Sequence, residues 1–431
     1  MSSNPTNLPE GTHTVVMGVG DANGIMRGKR IPASHWPTIC QNGNAMSIAT
    51  LAIDMTCDVW DTPYVNFDNG YPDMHLFPIG EPVASPWEPG VAIVMGRAET
   101  MDHTPVPIDP RNALVRQVQR AKAMGYTVSV GTELEFYLLD PETMQPRDKG
   151  IQVYSLCRAA ELEHVLGPMR QHLNDLGIPI EQSNPEYAAG QVEVNIRYDE
   201  ALLAADRVVL FRAMVKELAM HHGYHATFMS KPFAEESGSG FHTHHSLWKD
   251  GVNQFADNGR MNALGMSYLA GLQKRMPEAA LASATTPNSY RRRQPYTFCP
   301  INTTWGYDNR TVGLRVIQGS DNAVRVEKRD GSAECNPYYL LATEIAAGLD
   351  GIEQGLQPTA VTEGNGYEAE DAEPLPNNMA DALNLAKNSE WMKDVIGEDC
   401  LTILTQQGER ELEFLAAPIN PVEVERYMGN F

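Results

Sequence analysis

Residues 131–140 read GTELEFYLLD and set Glu133 and Glu135 two apart in an apolar run. The flanks, 126–130 and 136–139, are rich in β-branched and aromatic residues, which predicts a buried strand. Side chains two apart on a strand share a face. Carboxylates held that close, out of water, raise each other's pKa unless a cation neutralises them. Four further stretches offer partners. EYAAGQVE (186–193) sets Glu186 on a glycine-containing turn and Glu193 at the entry to a strand. GSGFHTHHS (238–246) runs a Gly/Ser loop into a strand with His242 and His244 on one face. RVEKR (325–329) alternates Arg325, Glu327 and Arg329, and NRTVGLR (309–315) supplies Arg310 and Arg315. The glutamates and a histidine are ligands suited to Mg²⁺ or Mn²⁺. The arginines can hold phosphates or carboxylates bidentately. Metal-holding carboxylates beside anion-holding arginines point to phosphoryl transfer, where a protein mostly positions groups and neutralises charge.

Each element alone has a plainer reading. Glu161 and Glu163 also form an E-x-E, but on a helix-like stretch, where they read as a solvated face. His221 and His222 fall at a helix end and read as structural or as partners of the helix dipole. RVEKR alone could be a salt-bridged edge. The metal reading rests on their joint occurrence on apolar-flanked strands.

The elements that must position these groups follow from pattern. Short strand-like runs over 14–19, 48–53 and 91–97 alternate with loops rich in Gly, Pro, Asp and Asn at 61–78 and 80–90, predicting a small, mostly β domain over 1–101. A helix is predicted over 110–124 with Gly125 as its stop. Strand and helix signals then alternate: 128–139, 161–176, 191–198, 204–222 and 227–229. The expectation is a larger α+β catalytic domain over 102–431, with an acidic loop over 364–376 and amphipathic helices in the last fifty residues. The net charge of −22 argues against nucleic-acid or anionic-membrane partners. The six scattered cysteines read as reduced thiols, the polar N-terminus does not read as a signal peptide, and no apolar run approaches the ~20 residues of a membrane span. The expected location is the cytoplasm.

In chain order, DANGIMRGKRIP (21–32), YPDMHLFP (71–78), GTELEFYLLD, EYAAGQVE, GSGFHTHHSLW, NSYRRR, NRTVGLR and RVEKRDGSAECNPYYLL resemble the glutamine synthetase family over nearly the whole chain. The D-x-N-G-x-x-R-G-K-R form resembles its γ-glutamyl-amine ligase branch. The resemblance implies a small N-terminal β-grasp domain and a larger catalytic domain with a curved antiparallel sheet and helices. It implies ATP and two or three divalent cations: Glu135, Glu186 and Glu193 around one, and Glu133, His242 and Glu327 around another. Glu181, His244, Ser246 and Arg325 would lie near the nucleotide. Arg310 and Arg315 would meet phosphates. Arg292, Arg329 and Gly238 would hold glutamate, with Ser237 where the family has asparagine.

The implied reaction forms γ-glutamyl phosphate from glutamate and ATP; an amine then displaces phosphate. The amine must lose a proton, for which Asp54 is the best placed carboxylate, ahead of Asp58 and Asp61. Ammonia-using relatives carry a glutamate on the loop after NSY-x-R. Here Phe298 takes that place, and no acidic residue lies within 288–304. An aromatic wall suits an alkylated amine by burial and cation–π attraction; Trp60, Tyr64, Tyr71 and Trp305 are further candidates for it. The expected acceptor is a short monoamine such as methylamine, with polyamines, ethanolamine or ammonia as alternatives. A non-catalytic relative would show broken metal ligands, whereas all six are present. The family also implies stacked hexameric rings in which the small domain of one subunit completes its neighbour's site.

Overall fold

The computed structural model describes residues 5–147, 150 and 153–429. The N-terminal strands are β1 (Thr14–Gly20), β2 (Met26–Pro32), β3 (Asn44–Ser47), β4 (Asp73–Pro78), β5 (Val83–Ala84) and β6 (Val91–Glu99). They form one sheet in the order β2-β1-β6-β4-β3, with β5 also on β6, and β1 runs parallel to β6. The alternation TVVMGV sends Val15, Met17 and Val19 into a core with Trp36, Ile39, Met74 and Leu76.

Two expectations here are corrected. The apolar run at 48–53 is no strand: Ile48–Leu51 is a 3-10 turn capped by the Ser47 side chain, which accepts from the Ala49 N–H. The loop expected over 61–78 ends in strand β4, and the one over 80–90 contains β5.

A second, nine-stranded sheet carries the acidic motifs. Its strands are β7 (Thr127–Leu139), β8 (Ile180–Pro185), β9 (Gln191–Glu200), β10 (His225–Thr227), β11 (Phe241–Lys249), β12 (Val252–Asn253), and, after a small separate hairpin of β13 (Ala256–Asp257) and β14 (Arg260–Met261), β15 (Trp305–Tyr307), β16 (Leu314–Ile317) and β17 (Arg325–Lys328). The order is β15-β16-β17-β11-β7-β9-β8, with β10 on β7 and β12 on β11. Pairing is antiparallel except between β15 and β16, which departs from the all-antiparallel expectation. The predicted helices form at Pro110–Ala123, Leu156–Asp175 and Ala201–His221; Glu161 and Glu163 are exposed on the second. The C-terminal region is helical, as its amphipathic pattern predicts.

The back of this sheet packs on helices, among them Ala263–Arg275 and Pro337–Glu353. Those two meet backbone to backbone. A Cβ on Gly271 would lie 2.0 Å from the Ala347 carbonyl oxygen, and one on Gly351 2.0 Å from that of Ser267, so only glycine permits the approach. The same back face buries a charged network. Lys328 is 3% exposed and binds the Asp330 carboxylate and, at 3.1 Å, that of Glu344. Glu344 accepts from the Thr243 hydroxyl at 2.9 Å and lies 2.9 Å from His245 Nε2; the Tyr268 hydroxyl is 3.1 Å from His245 Nδ1. Asp330 accepts from Ser283 at 2.9 Å, with Arg293 3.8 Å away. Burial disfavours the Lys328 ammonium, but the two carboxylates outweigh it and raise its pKa.

Candidate active site

Strand register brings the separated motifs together. Glu135 lies opposite Glu193 across β7 and β9, Glu133 opposite His242 across β7 and β11, and Glu327 opposite His244 across β17 and β11. Arg315 on β16 faces Glu327 in turn. Because side chains alternate, His242 and His244 point to the cleft while Thr243 and His245 point to the buried network behind it. His242 Nδ1 is 3.3 Å from Glu133 and 3.7 Å from Glu327; His244 Nε2 is 2.9 Å from Glu133. Ligand atoms of Glu133, Glu193 and His242 converge within 4.8 Å, as do those of Glu133, His244 and Glu327. His244, expected near the nucleotide, therefore also stands among the carboxylates.

The electrostatics divide these carboxylates into two kinds. Burial raises the Glu133 carboxyl, but His244 and His242 outweigh burial and hold it well below the usual range. Burial likewise opposes ionisation of Glu327, yet Arg329, His244 and His242 bring it down to about 2. Arg315 donates to Glu327 at 2.9 Å, and Arg329 binds its other oxygen. On the other side, burial followed by the charges of Glu133, Glu135 and Glu186 pushes Glu193 up to about 9. Burial and Glu135 push Glu186 to about 7. That side has an excess of buried negative charge in which a hard divalent cation fits. Glu135 meanwhile accepts from the Gly240 N–H at 2.7 Å.

One cavity, about 250 Å³, is lined by Glu133, Glu135, Glu186, Glu193 and His242 together with Gly238, Arg292, Phe298, Arg310, Arg315 and Arg329. Arg292 is anchored by the Gly331 carbonyl, and the carbonyl of Gly238 accepts from Gln191 at 3.1 Å. A second cavity of about 220 Å³ adjoins across Glu133 and gathers Glu181, His244, Ser246 and Arg325. Arg325 donates to His244 Nδ1 at 3.1 Å.

This second cavity also holds two residues that the sequence did not single out. Tyr198 on β9 and Trp248 on β11 stand with rings nearly parallel, 6° between planes and 6.4 Å between centroids. Gly131 of β7 lines the same cavity opposite His244, and its missing side chain leaves room between Tyr198 and His244.

Asp54 is not in either cavity. It accepts from the Thr56 hydroxyl at 2.8 Å and from the Asp58 N–H at 2.9 Å, and pairs with Arg410 at 3.1 Å, beside Ala22, Asn23 and Gln407. Burial raises its pKa, but these hydrogen bonds together lower it. Arg410 also covers the Trp60 ring, at 5.2 Å. Within one chain, then, Asp54 and Trp60 are separated from the acidic cleft, as is Tyr71, whose hydroxyl binds Asp61. The six cysteines are unpaired. Among the described residues no helix is long and apolar enough to cross a membrane.

Residues 107–427 match the glutamine synthetase catalytic domain model. The chain is 32% identical to the glutamate–isopropylamine ligase of a Pseudomonas species, over 96% of this chain and 95% of that one. It is 32% identical to the γ-glutamylethanolamide synthetase of Streptomyces coelicolor, over 96% and 92% respectively. It also resembles a solved structure described as a GmaS/ADP complex, with 28% identity, a TM-score of 0.87 and 97% of each chain covered. The chain thus belongs to the glutamine synthetase family, in its γ-glutamylamine ligase branch, whose members form carbon–nitrogen bonds.

Proposed function

We propose that this chain is an ATP-dependent ligase joining the γ-carboxylate of L-glutamate to a short primary alkylamine, methylamine foremost, through γ-glutamyl phosphate. The observation that carries this reading is the single cleft in which carboxylates, arginines and the aromatic Phe298 meet. Phe298 stands where ammonia-using relatives carry a glutamate. The cleft thus has an apolar surface for an alkyl group in place of a charge for ammonium.

In this reading Arg292, Arg329 and Gly238 hold glutamate with its γ-carboxylate towards the acids. Arg310 and Arg315 face the phosphates. Glu181, His244, Ser246 and Arg325 surround the nucleotide, and Tyr198 and Trp248 receive its base as a planar guest. Glu135, Glu186 and Glu193 would hold one divalent cation, and Glu133, His242 and Glu327 another, Mg²⁺ or Mn²⁺. Bound there, such ions neutralise charge on phosphoryl oxygens. Arg310 and Arg315 add fixed positive charge beside the transferring group.

The amine's proton goes to a carboxylate, Asp54 being the one proposed. Since Asp54 lies apart from the cleft of its own chain, it would act from a neighbouring subunit in stacked hexameric rings. Exposed Met55, Val59 and Phe67 beside it, and exposed Phe414, Ile419, Val422 and Met428 near the C-terminus, are surfaces suited to such contacts. The β1–β6 sheet would be a β-grasp domain over 1–101, and 102–431 the catalytic domain.

The test is a panel of amines with glutamate and ATP, reading phosphate release and product mass. A γ-glutamylalkylamide formed faster than glutamine is the expected result. Faster ADP release with ammonia than with every primary amine, at equal concentration, overturns the reading.

A further inference from the structure

We propose that Tyr187 is an acceptor-specificity residue that acts with Phe298 as a two-ring wall, selecting a primary amine with an uncharged alkyl tail. This rests on the ligase reading above and specifies the acceptor. Tyr187 follows Glu186 on the turn between β8 and β9; Phe298 sits on the loop after NSYRRR, in the left-handed backbone region at φ 58°. Their rings meet at 6.0 Å between centroids with 26° between planes. Each is close to half exposed, 48% and 44%, so apolar surface remains for a guest.

The wall stands between two spaces. Tyr187 and Phe298 line the acidic cleft, and they also line an adjoining cavity of about 790 Å³. An amine whose nitrogen faces the acids beside Glu186 therefore sends its tail past the two rings. Beyond them the larger cavity carries Lys231 and Arg291 against Glu235 and Glu236, so its charges balance. Arg292 lines both cavities and belongs to the glutamate site. An alkyl tail ending at the rings gains buried area.

The experiment uses the full chain with glutamate, ATP and Mg²⁺, and measures ADP release with methylamine, ethylamine, isopropylamine and putrescine. Tyr187→Ala is expected to raise the KM for the preferred alkylamine about fourfold for each methylene in contact, while the KM for glutamate moves less than twofold. Tyr187→Phe keeps the ring and the parent's ranking of amines. An unchanged amine KM and ranking in Tyr187→Ala overturns the inference while the ligase reading stands. A parent chain that releases no ADP in response to any amine overturns both.

Discussion

Lys328 offers a test of how the sheet holds its catalytic face. It lies between Glu327 and Arg329 but points the other way, into the helices, where Asp330 and Glu344 share its ammonium. All three are at most 3% exposed. Lys328→Met fills the same volume with an apolar chain and leaves two buried carboxylates, with His245 at 2.9 Å from one and Arg293 at 3.8 Å from the other as the remaining compensation. Breaking a buried pair in this way costs about 3–5 kcal/mol. An unfolding entropy of ~2.1 cal/mol/K per residue gives roughly 0.9 kcal/mol/K for a chain of this length. The melting temperature should therefore fall by about 4 °C. The double variant Lys328→Met, Glu344→Gln removes one stranded charge and should melt above the single variant. Because the lysine pKa is raised on folding, its contribution is complete below the ordinary lysine range and is lost only as pH climbs through the raised value. Calorimetry of the three proteins at pH 7 decides it. A single variant that melts within 1 °C of the parent, or a double variant that melts lower still, shows that the network does not hold the strand as argued.

Three other outcomes follow from the same geometry. Phe298→Glu returns a carboxylate to the acceptor wall and should shift the amine-to-ammonia ratio of ADP release towards ammonia at least tenfold; an unchanged ratio counts against the pocket. Chelator-treated protein should gain stability on adding Mn²⁺ or Mg²⁺, ~2.7 kcal/mol at a hundredfold excess over Kd, and Glu193→Gln should lose most of that gain in a thermal-shift titration. Asp109, buried at the start of the helix Pro110–Ala123, has its carboxyl pushed by burial up to about 7. The folded chain keeps this proton where the unfolded chain has released it, so stability falls as pH rises from about 4 to 7, by up to roughly 4 kcal/mol. Asp109→Asn keeps the cap and should flatten that slope in denaturant titrations; parallel parent and variant curves would refute it.

The acidic residues were legible because alternation on a strand is a local property. GTELEF and FHTHHS each state which side chains share a face, whatever the strands pair with. Their pairing is not local. Nothing in the sequence says that Glu135 stands opposite Glu193 or Glu327 opposite His244; the family resemblance grouped the first pair in advance of the register, but set Glu327 with His242, and His244 near the nucleotide. Where only a few residues spoke, pattern failed: the run at 48–51 fits a strand or a turn equally, and the Ser47 cap decided for the turn. The Gly- and Pro-rich surroundings of 73–78 hid the alternation of DMHLFP. RVEKR was read for its odd positions, and Lys328 went unremarked because a lysine within a charged run ordinarily faces water. Tyr198 and Trp248 were missed for another reason. Each is a lone aromatic near a strand end, on the two strands that flank β7, and only the pairing of those strands brings the rings to one cavity. Gly131 on β7 carries no signal either, yet its missing side chain leaves room between Tyr198 and His244. A larger residue there would press on both, so the empty position is as much part of the cavity as the side chains that line it.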